Sequence, residues 1–442
     1  MWTRRAFLKQ PALTASGALA MAAAGRLVAG ERLRSICETI ASTATAPDDA
    51  VDDEPFWGLV AQAFTVDRSL VNLNNGGVSP SPRFVQDAMK RHLDFSNQAP
   101  PYTMWKVLEP QREAVRSRLA RAWKVSPEEI ALTRNASEGL QILQFGFDLK
   151  PGDEVLTTNQ DYPRMINTFK QRERRDGIVL RQFSIPIPAE DPSEIVSRFE
   201  HHITPRTRLI LMCHMINLTG QILPVREITE MARRHGIPVL VDGAHSLAHF
   251  DFGLDELGCD YFATSLHKWL FAPHGTGLLF VRHERIAGLW PLMAAPDSMD
   301  EDIRKFEEIG THPAANALAI AEALTFHESL GAARKAARLR YLRRYWTSRA
   351  REVDRVRLHT SDHDAYACGI ATVQVEGLDS GKLSDWLWNE HRILTTPIKH
   401  DEFEGIRVSP SVYTTLEELD RFGDSLVTAA RNGIPDETSA AS

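Results

Sequence analysis

The sequence has little cysteine, four residues in 442, with no CxxC pair and no cysteine–histidine spacing suited to a metal. That excludes a disulfide-dense scaffold or a zinc module. The 16 histidines suggest no metal site either: apart from the adjacent His201 and His202 they are scattered. Long apolar runs are also missing. The best candidate, Pro11 to Gly25, is alanine-rich and too short for a permanent bilayer span. Glycine and proline, at 26 and 24 residues, stay at globular levels and exclude collagen-like and low-complexity chains. The last deficit is local: the first 30 residues contain no acid. They hold Arg4, Arg5, Lys9 and Arg26, so the net charge of −7 becomes −11 over residues 31–442 once those four positive charges are set aside. A body so acidic is a poor partner for nucleic acid or an anionic membrane.

The basic end reads as an address. Thr3-Arg4-Arg5-Ala6-Phe7-Leu8-Lys9 is a twin-arginine run followed by an apolar stretch and small residues, the order of a cleavable targeting peptide. Residues 1–30 are therefore expected to be a twin-arginine signal cleaved between Ala22 and Gly30, with the export machinery as a partner and the periplasm as destination. Residues 31–54 are expected to be a flexible linker, because Ala41 to Glu54 is a run of Ala, Ser, Thr, Pro and Asp with little to bury. A large α/β domain over 55–313, a small C-terminal domain over 314–433 and a disordered tail over 434–442 complete the plan. Cys213, Cys259 and Cys368 lie in apolar contexts and read as free core thiols.

Within the large domain, Glu129–Thr133, Glu154–Thr158, Val179–Phe183, Leu209–His214 and Pro238–Val241 are short apolar runs of strand length. Between them lie helical segments such as Pro224 to His235, with Pro at its start and Gly236 just past its end. Near-continuous apolar strands that alternate with helices predict a mainly parallel sheet covered on both faces. Ala314 to about Val353 reads as helical and able to hold a long interdomain helix. Strand, helix, strand, strand and a closing helix over Thr415–Arg431 then predict a smaller α+β domain.

Ligands of open α/β sheets bind at the carboxyl ends of the strands, which directs attention to three segments. Thr133-Arg134-Asn135-Ala136-Ser137-Glu138-Gly139 leaves a strand and opens a helix, where backbone N–H groups and the Ser137 hydroxyl suit an anion. Val241-Asp242-Gly243-Ala244-His245 ends a strand with an acid. Thr264-Ser265-Leu266-His267-Lys268-Trp269 sets a lysine 26 residues after that acid. Taken singly, these are better explained by helix caps and a solvated lysine. Together they supply what an aldehyde cofactor needs: an amine, a carboxylate for a pyridine nitrogen and a phosphate cradle.

From about Asn72 to Phe422 the chain resembles pyridoxal-phosphate (PLP) enzymes of fold type I, in the class V aminotransferase group. The densest likeness is Asp242 to Val281, and its HKWL-x-AP segment, from His267 to Pro273, is most similar to the isopenicillin N epimerase branch. The resemblance implies that Lys268 carries the cofactor and moves the substrate α-proton, and that Asp242 pairs with the pyridinium. It implies that Ala136, Ser137, Ser265 and His267 hold the phosphate, and that Asn217 and His245 lie near the ring hydroxyl. Thr311 would reach the phosphate of a neighbouring subunit, hence a homodimer. Arg407 would grip the substrate carboxylate with its guanidinium fork.

Two departures matter. The ring-stacking position, often His in the family, is Tyr162, which stacks but changes a proton-transfer group; a simple loop anchor is the equal alternative. No cysteine lies between Leu394 and Arg407, where desulfurases carry their nucleophile, so desulfurase activity is disfavoured. The leading expectation is an exported PLP enzyme acting at the α-carbon of an amino acid or of a peptide-like metabolite. It is aminotransferase-like and similar to periplasmic enzymes that tailor pyoverdine-type siderophores. An isopenicillin N epimerase-like reaction ranks second, because a β-lactam intermediate is made in the cytoplasm. A noncatalytic binding protein of the same fold is the alternative of a different class.

Overall fold

The computed structural model describes residues 36–42 and 50–435. The expected signal lies outside the described residues, as does most of the expected tail. After the helices at residues 36–42 and Glu54–Ala61 comes a short strand, β1 (Val71–Asn72). The large sheet follows with β2 (Ile130–Thr133), β3 (Glu154–Thr158), β4 (Val179–Phe183), β5 (Thr207–Cys213), β6 (Val239–Asp242), β7 (Tyr261–Ser265) and β8 (Gly277–Val281), in the order β2-β8-β7-β6-β5-β3-β4. All pairings are parallel except those of β8, which runs antiparallel to both neighbours. The α/β expectation holds, and five strands lie where apolar runs placed them.

Period-2 alternation explains why both faces are covered. On β5, Leu209 and Leu211 enter one core with Leu140 and Phe169 of the flanking helices, while Ile210 and Met212 enter the other with Val241 and Phe262. The helix Ala136–Gly146 starts on Asn135, whose Oδ1 accepts from the Glu138 N–H at 2.8 Å, a cap worth about 1 kcal/mol. Gly139 lets this helix lie close on β7: a Cβ there would stand 2.9 Å from that of Ala263.

The small domain holds β9 (Val356–Leu358), β10 (Ala371–Val375), β11 (Ile393–Leu394), β12 (Thr396–Lys399) and β13 (Glu404–Val408). Four form an antiparallel sheet ordered β12-β13-β10-β9, backed by the helices Ser380–His391 and Leu416–Asn432. β11 pairs instead with β1 in parallel, so the N-terminal segment is stitched to the C-terminal domain.

One expectation needs correction. The stretch read as a flexible linker is in part ordered: residues 36–42 are helical, Ile40 is fully buried, and Trp57 Nε1 donates to the Ala50 carbonyl at 2.7 Å. Cys37 and Ile40 share one helical face and reach the main core, a contact too short to show as periodicity. The region from Ala314 to about Val353 is helical as expected, in three helices, Ala314–Leu318, Ile320–Leu330 and the 20-residue Ala332–Arg351; Gly331, at φ +82°, separates the last two.

Candidate active site

β5 and β6 end in register, with Cys213 opposite Asp242, while Asp242 lies opposite Ala263 and β7 runs two residues further to Ser265. Beyond these ends opens a cavity of about 560 Å³. Ala136, Ser137, Tyr162, Asn217, Asp242, His245, Ser265, His267, Lys268 and Arg407 all line it. Thr311 does not. It faces a second cavity of about 590 Å³, beside Arg112, Glu307 and Trp105.

At the floor, Lys268 Nζ stands 3.1 Å from His245 Nε2. Burial of the amine, reinforced by Arg407 and opposed by Asp242, brings Lys268 from 10.5 down to about 8. A substantial share is therefore the neutral, nucleophilic amine near pH 8. Asp242 Oδ1 accepts from the Ala244 N–H at 2.9 Å, and burial pushes its carboxyl up to about 6 despite that bond and Lys268. Burial first, then Lys268 and Arg407, hold His245 well below its usual range, so its ring is neutral. Gly243 is required beside Asp242, since a Cβ there would fall 1.8 Å from the Phe262 ring.

The helix Ala136–Gly146 points its N-terminus at the cavity. The Ala136 N–H donates to Ser265 Oγ at 2.9 Å, which leaves the Ser265 hydroxyl proton free for an anion. Gly277 permits the tight approach of β8 to this loop, because a Cβ would lie 2.7 Å from Asn135 Cα. His267, lowered to about 4 chiefly by burial, has Nδ1 3.1 Å from the Thr276 carbonyl. That bond commits its N–H, so His267 serves an anion only when protonated.

Arg407 comes from β13 of the small domain. Its Nη1 donates to the Asn217 carbonyl and its Nη2 to Asn74 Oδ1, both at 3.0 Å, and no carboxylate pairs with it among the described residues. Burial lowers it to about 10. Tyr162, 37% exposed, stands where the chain enters the helix Pro163–Asp176. His245 Nδ1, Asn217 Oδ1 and Arg407 Nε are buried without partners. Each such atom costs about 1–3 kcal/mol unless a ligand satisfies it. Together with three lining cations, Arg164, Lys268 and Arg407, this suits a phosphorylated pyridine and a substrate carboxylate.

Several lining or supporting residues escaped sequence reasoning. Cys213, read as a core thiol, lines the cavity, though burial, Asp161 and Asp242 push it far from ionising. Asp161 is buried beneath Tyr162 and accepts from Thr158 N at 3.0 Å and Thr158 Oγ1 at 2.6 Å. Its place beside Tyr162 in Gln160-Asp161-Tyr162 was the available signal. Asn74 and Arg164 had none, since isolated polar residues are ordinarily solvated. All four cysteines are free and buried, and Cys368 is pushed up to about 11 by burial, as suits an inert core thiol.

Comparison with known proteins agrees with this geometry. Isopenicillin N epimerase of Streptomyces clavuligerus is 31% identical over 399 residues, spanning 84% of this chain and 97% of that protein. The enzyme of the same name from Amycolatopsis lactamdurans is 28% identical over 84% of this chain and 98% of its own. A probable cysteine desulfurase of Mycolicibacterium paratuberculosis is 29% identical over 67% of this chain and 45% of its own. Among solved structures, a C-DES mutant with glycine covalently linked to the PLP cofactor superposes with a TM-score of 0.73 at 24% identity, covering 82% of this chain and 99% of that one. The apo cysteine desulfurase of Thermococcus onnurineus NA1 does so at 0.75 and 22% identity, covering 86% and 98%. These structures share the fold type I architecture. The family description "Aminotransferase class-V" matches residues 71–422, and the chain belongs to that family of PLP-dependent enzymes.

Proposed function

We propose that this enzyme inverts the α-carbon of an amino-acid group carried by a peptide-like metabolite. The carrying observation is one cavity that holds an amine titrating at about 8, Lys268, a second proton-bearing group, Tyr162, and a guanidinium with no carboxylate partner among the described residues, Arg407. The two isopenicillin N epimerase relatives, aligned over nearly their whole lengths, support this reading above the aminotransferase or siderophore-tailoring one.

PLP, when bound, supplies an electron sink for the charge that develops at the α-carbon. The chain does the rest. Ser137 and Ser265 would hold the phosphate, Asp242 would meet the pyridine nitrogen, and Arg407 would orient the substrate carboxylate. Lys268 removes the α-proton on one side, and the Tyr162 hydroxyl returns one on the other. A desulfurase reaction lacks its nucleophile, because neither Cys213 nor Cys368 yields a thiolate. In the same proposal the enzyme is a homodimer, with Thr311 serving the partner's phosphate, and leaves the cytoplasm through its Arg4-Arg5 signal. Sedimentation and periplasmic fractionation of cells making the full chain test those two points.

The reaction is tested in D2O with PLP-loaded enzyme and a panel of L-amino acids and γ-linked dipeptides. Cα exchange with accumulation of the D-form and no keto acid is expected. Keto-acid release without inversion would establish transamination instead. Tyr162→Phe is expected to slow inversion about 10²-fold while exchange on the Lys268 side persists; equal loss of both, or of neither, would remove Tyr162 from the reaction.

A further inference from the structure

Lys335 lies on the helix Ala332–Arg351 with no solvent exposure and, among the described residues, no carboxylate partner. A buried ammonium without a counter-ion is costly, so what it touches is informative. Its Nζ donates to the Trp269 carbonyl, one residue past Lys268. The same ammonium stands 4.2 Å from the centre of the Phe271 ring, a cation–π contact. Phe271 has φ +61°, a left-handed backbone that bulky residues rarely adopt.

The opposite side of Trp269 is held as firmly. His249 stacks on its indole with centroids 3.6 Å apart and planes 18° from parallel. His249 Nε2 accepts from the Gly369 N–H at 2.9 Å, so Nδ1 carries the proton and donates to the His245 carbonyl at 2.8 Å. Gly369 approaches so closely that a Cβ would lie 2.9 Å from that nitrogen. Ala248, the neighbour of His249, is also left-handed at φ +62°. Two strained non-glycine residues thus flank one stacked pair, and the pair connects to Lys268 through one chain segment and to His245 through the other. Strain of this kind persists only where surrounding contacts over-determine it.

We propose that Lys335 is a positioning residue for the chemistry at Lys268. Its ε-amino group, clamped on the Trp269 carbonyl and the Phe271 ring, holds the strained turn that keeps the Lys268 amine recessed at the cavity floor and against His245. His249, His327 and Cys368 face the ammonium, and Arg340 and Arg343 act on His249 from the same helix. None of these is an acid that would take over its role. Burial lowers Lys335 to about 7, so near pH 8 it is largely the neutral amine, which still donates N–H to the Trp269 carbonyl and to the face of the Phe271 ring.

The inference rests on Lys268 as the PLP-bearing residue, and its test separates the two. PLP recapture is followed by absorbance against pH, using apoprotein freshly made from purified holoenzyme. Wild type is expected to gain capture rate through about pH 8, as Lys268 becomes neutral. In Lys335→Met a loosened turn admits water, so the midpoint moves up by about one pH unit towards ordinary lysine, and capture at pH 8 slows about tenfold. Lys335→Gln, which keeps a donor without charge, shifts the same way by at least about half a unit and decides the matter if the Met variant does not fold. A folded variant with lowered Tm but the wild-type midpoint would show a merely structural lysine and overturn the proposal. Loss of PLP attachment at every pH in wild type would refute Lys268 itself.

Discussion

Lys268→Ala protein supplied with PLP is expected to form no borohydride-stable attachment and to lose at least about 10⁴-fold in α-proton exchange. The size follows from two tasks that one amine performs: it binds the cofactor covalently and it is the proton carrier nearest the floor of the cavity. His245, 3.1 Å away, cannot substitute as a cation because burial, Lys268 and Arg407 keep it neutral. An added small amine should restore exchange, though not attachment, if proton transfer is the larger part. The wild-type pH profile bears on the same amine. Lys268 titrates at about 8, below its ordinary 10.5, so capture of PLP rises with pH through about 8 and is weak at pH 6. Retention of the reducible attachment in Lys268→Ala, measured by mass spectrometry of the reduced protein, would move the cofactor lysine elsewhere.

Asp242→Asn is the second large effect. The variant keeps an oxygen for the Ala244 N–H and the volume of the side chain, so the fold should survive. What it loses is the negative charge that keeps a pyridine nitrogen protonated, and a loss of about 10²–10³-fold in exchange is expected. Two further signs follow. Asp242 holds Lys268 up, so in the variant the capture profile should move to lower pH. Stability of the apoprotein should change as well. The folded carboxyl titrates at about 6 against an ordinary 3.8, so the wild type binds a proton more tightly when folded. Its contribution to stability is present below the ordinary value and is lost as pH rises through about 6. The Asn variant has no such loss. Its Tm relative to wild-type apoprotein should therefore climb between pH 4 and 6, and a flat difference across that range would contradict a buried, desolvated Asp242.

Much of this was legible in the chain. β3 and β4 coincide with the runs Glu154–Thr158 and Val179–Phe183: β3 is buried along its length with Val155 and Leu156 in opposite cores, while β4 is the sheet edge and buries only Phe183. The reversed direction of β8 was not legible, since Gly277–Val281 is equally apolar whichever way it runs. The helix at residues 36–42 was hidden by a context rich in small polar residues, although Cys37 and Ile40 anchor it in the core.

The linear order of Ser137, Asp242, Lys268 and Arg407, each at a strand end or turn, was determined by sequence alone, and with it the cofactor's chemistry. Tertiary structure decided which of them meet and in what state. It carried Arg407 across from the small domain to Asn74 and Asn217, sent Thr311 to a different cavity, and placed Lys335 behind Trp269. It also brought Lys268 to about 8 and Asp242 to about 6. Those shifts arise chiefly from withdrawal of water, and desolvation depends on everything packed around a group. A linear pattern names the ionisable residues, but only packing sets the medium in which they ionise.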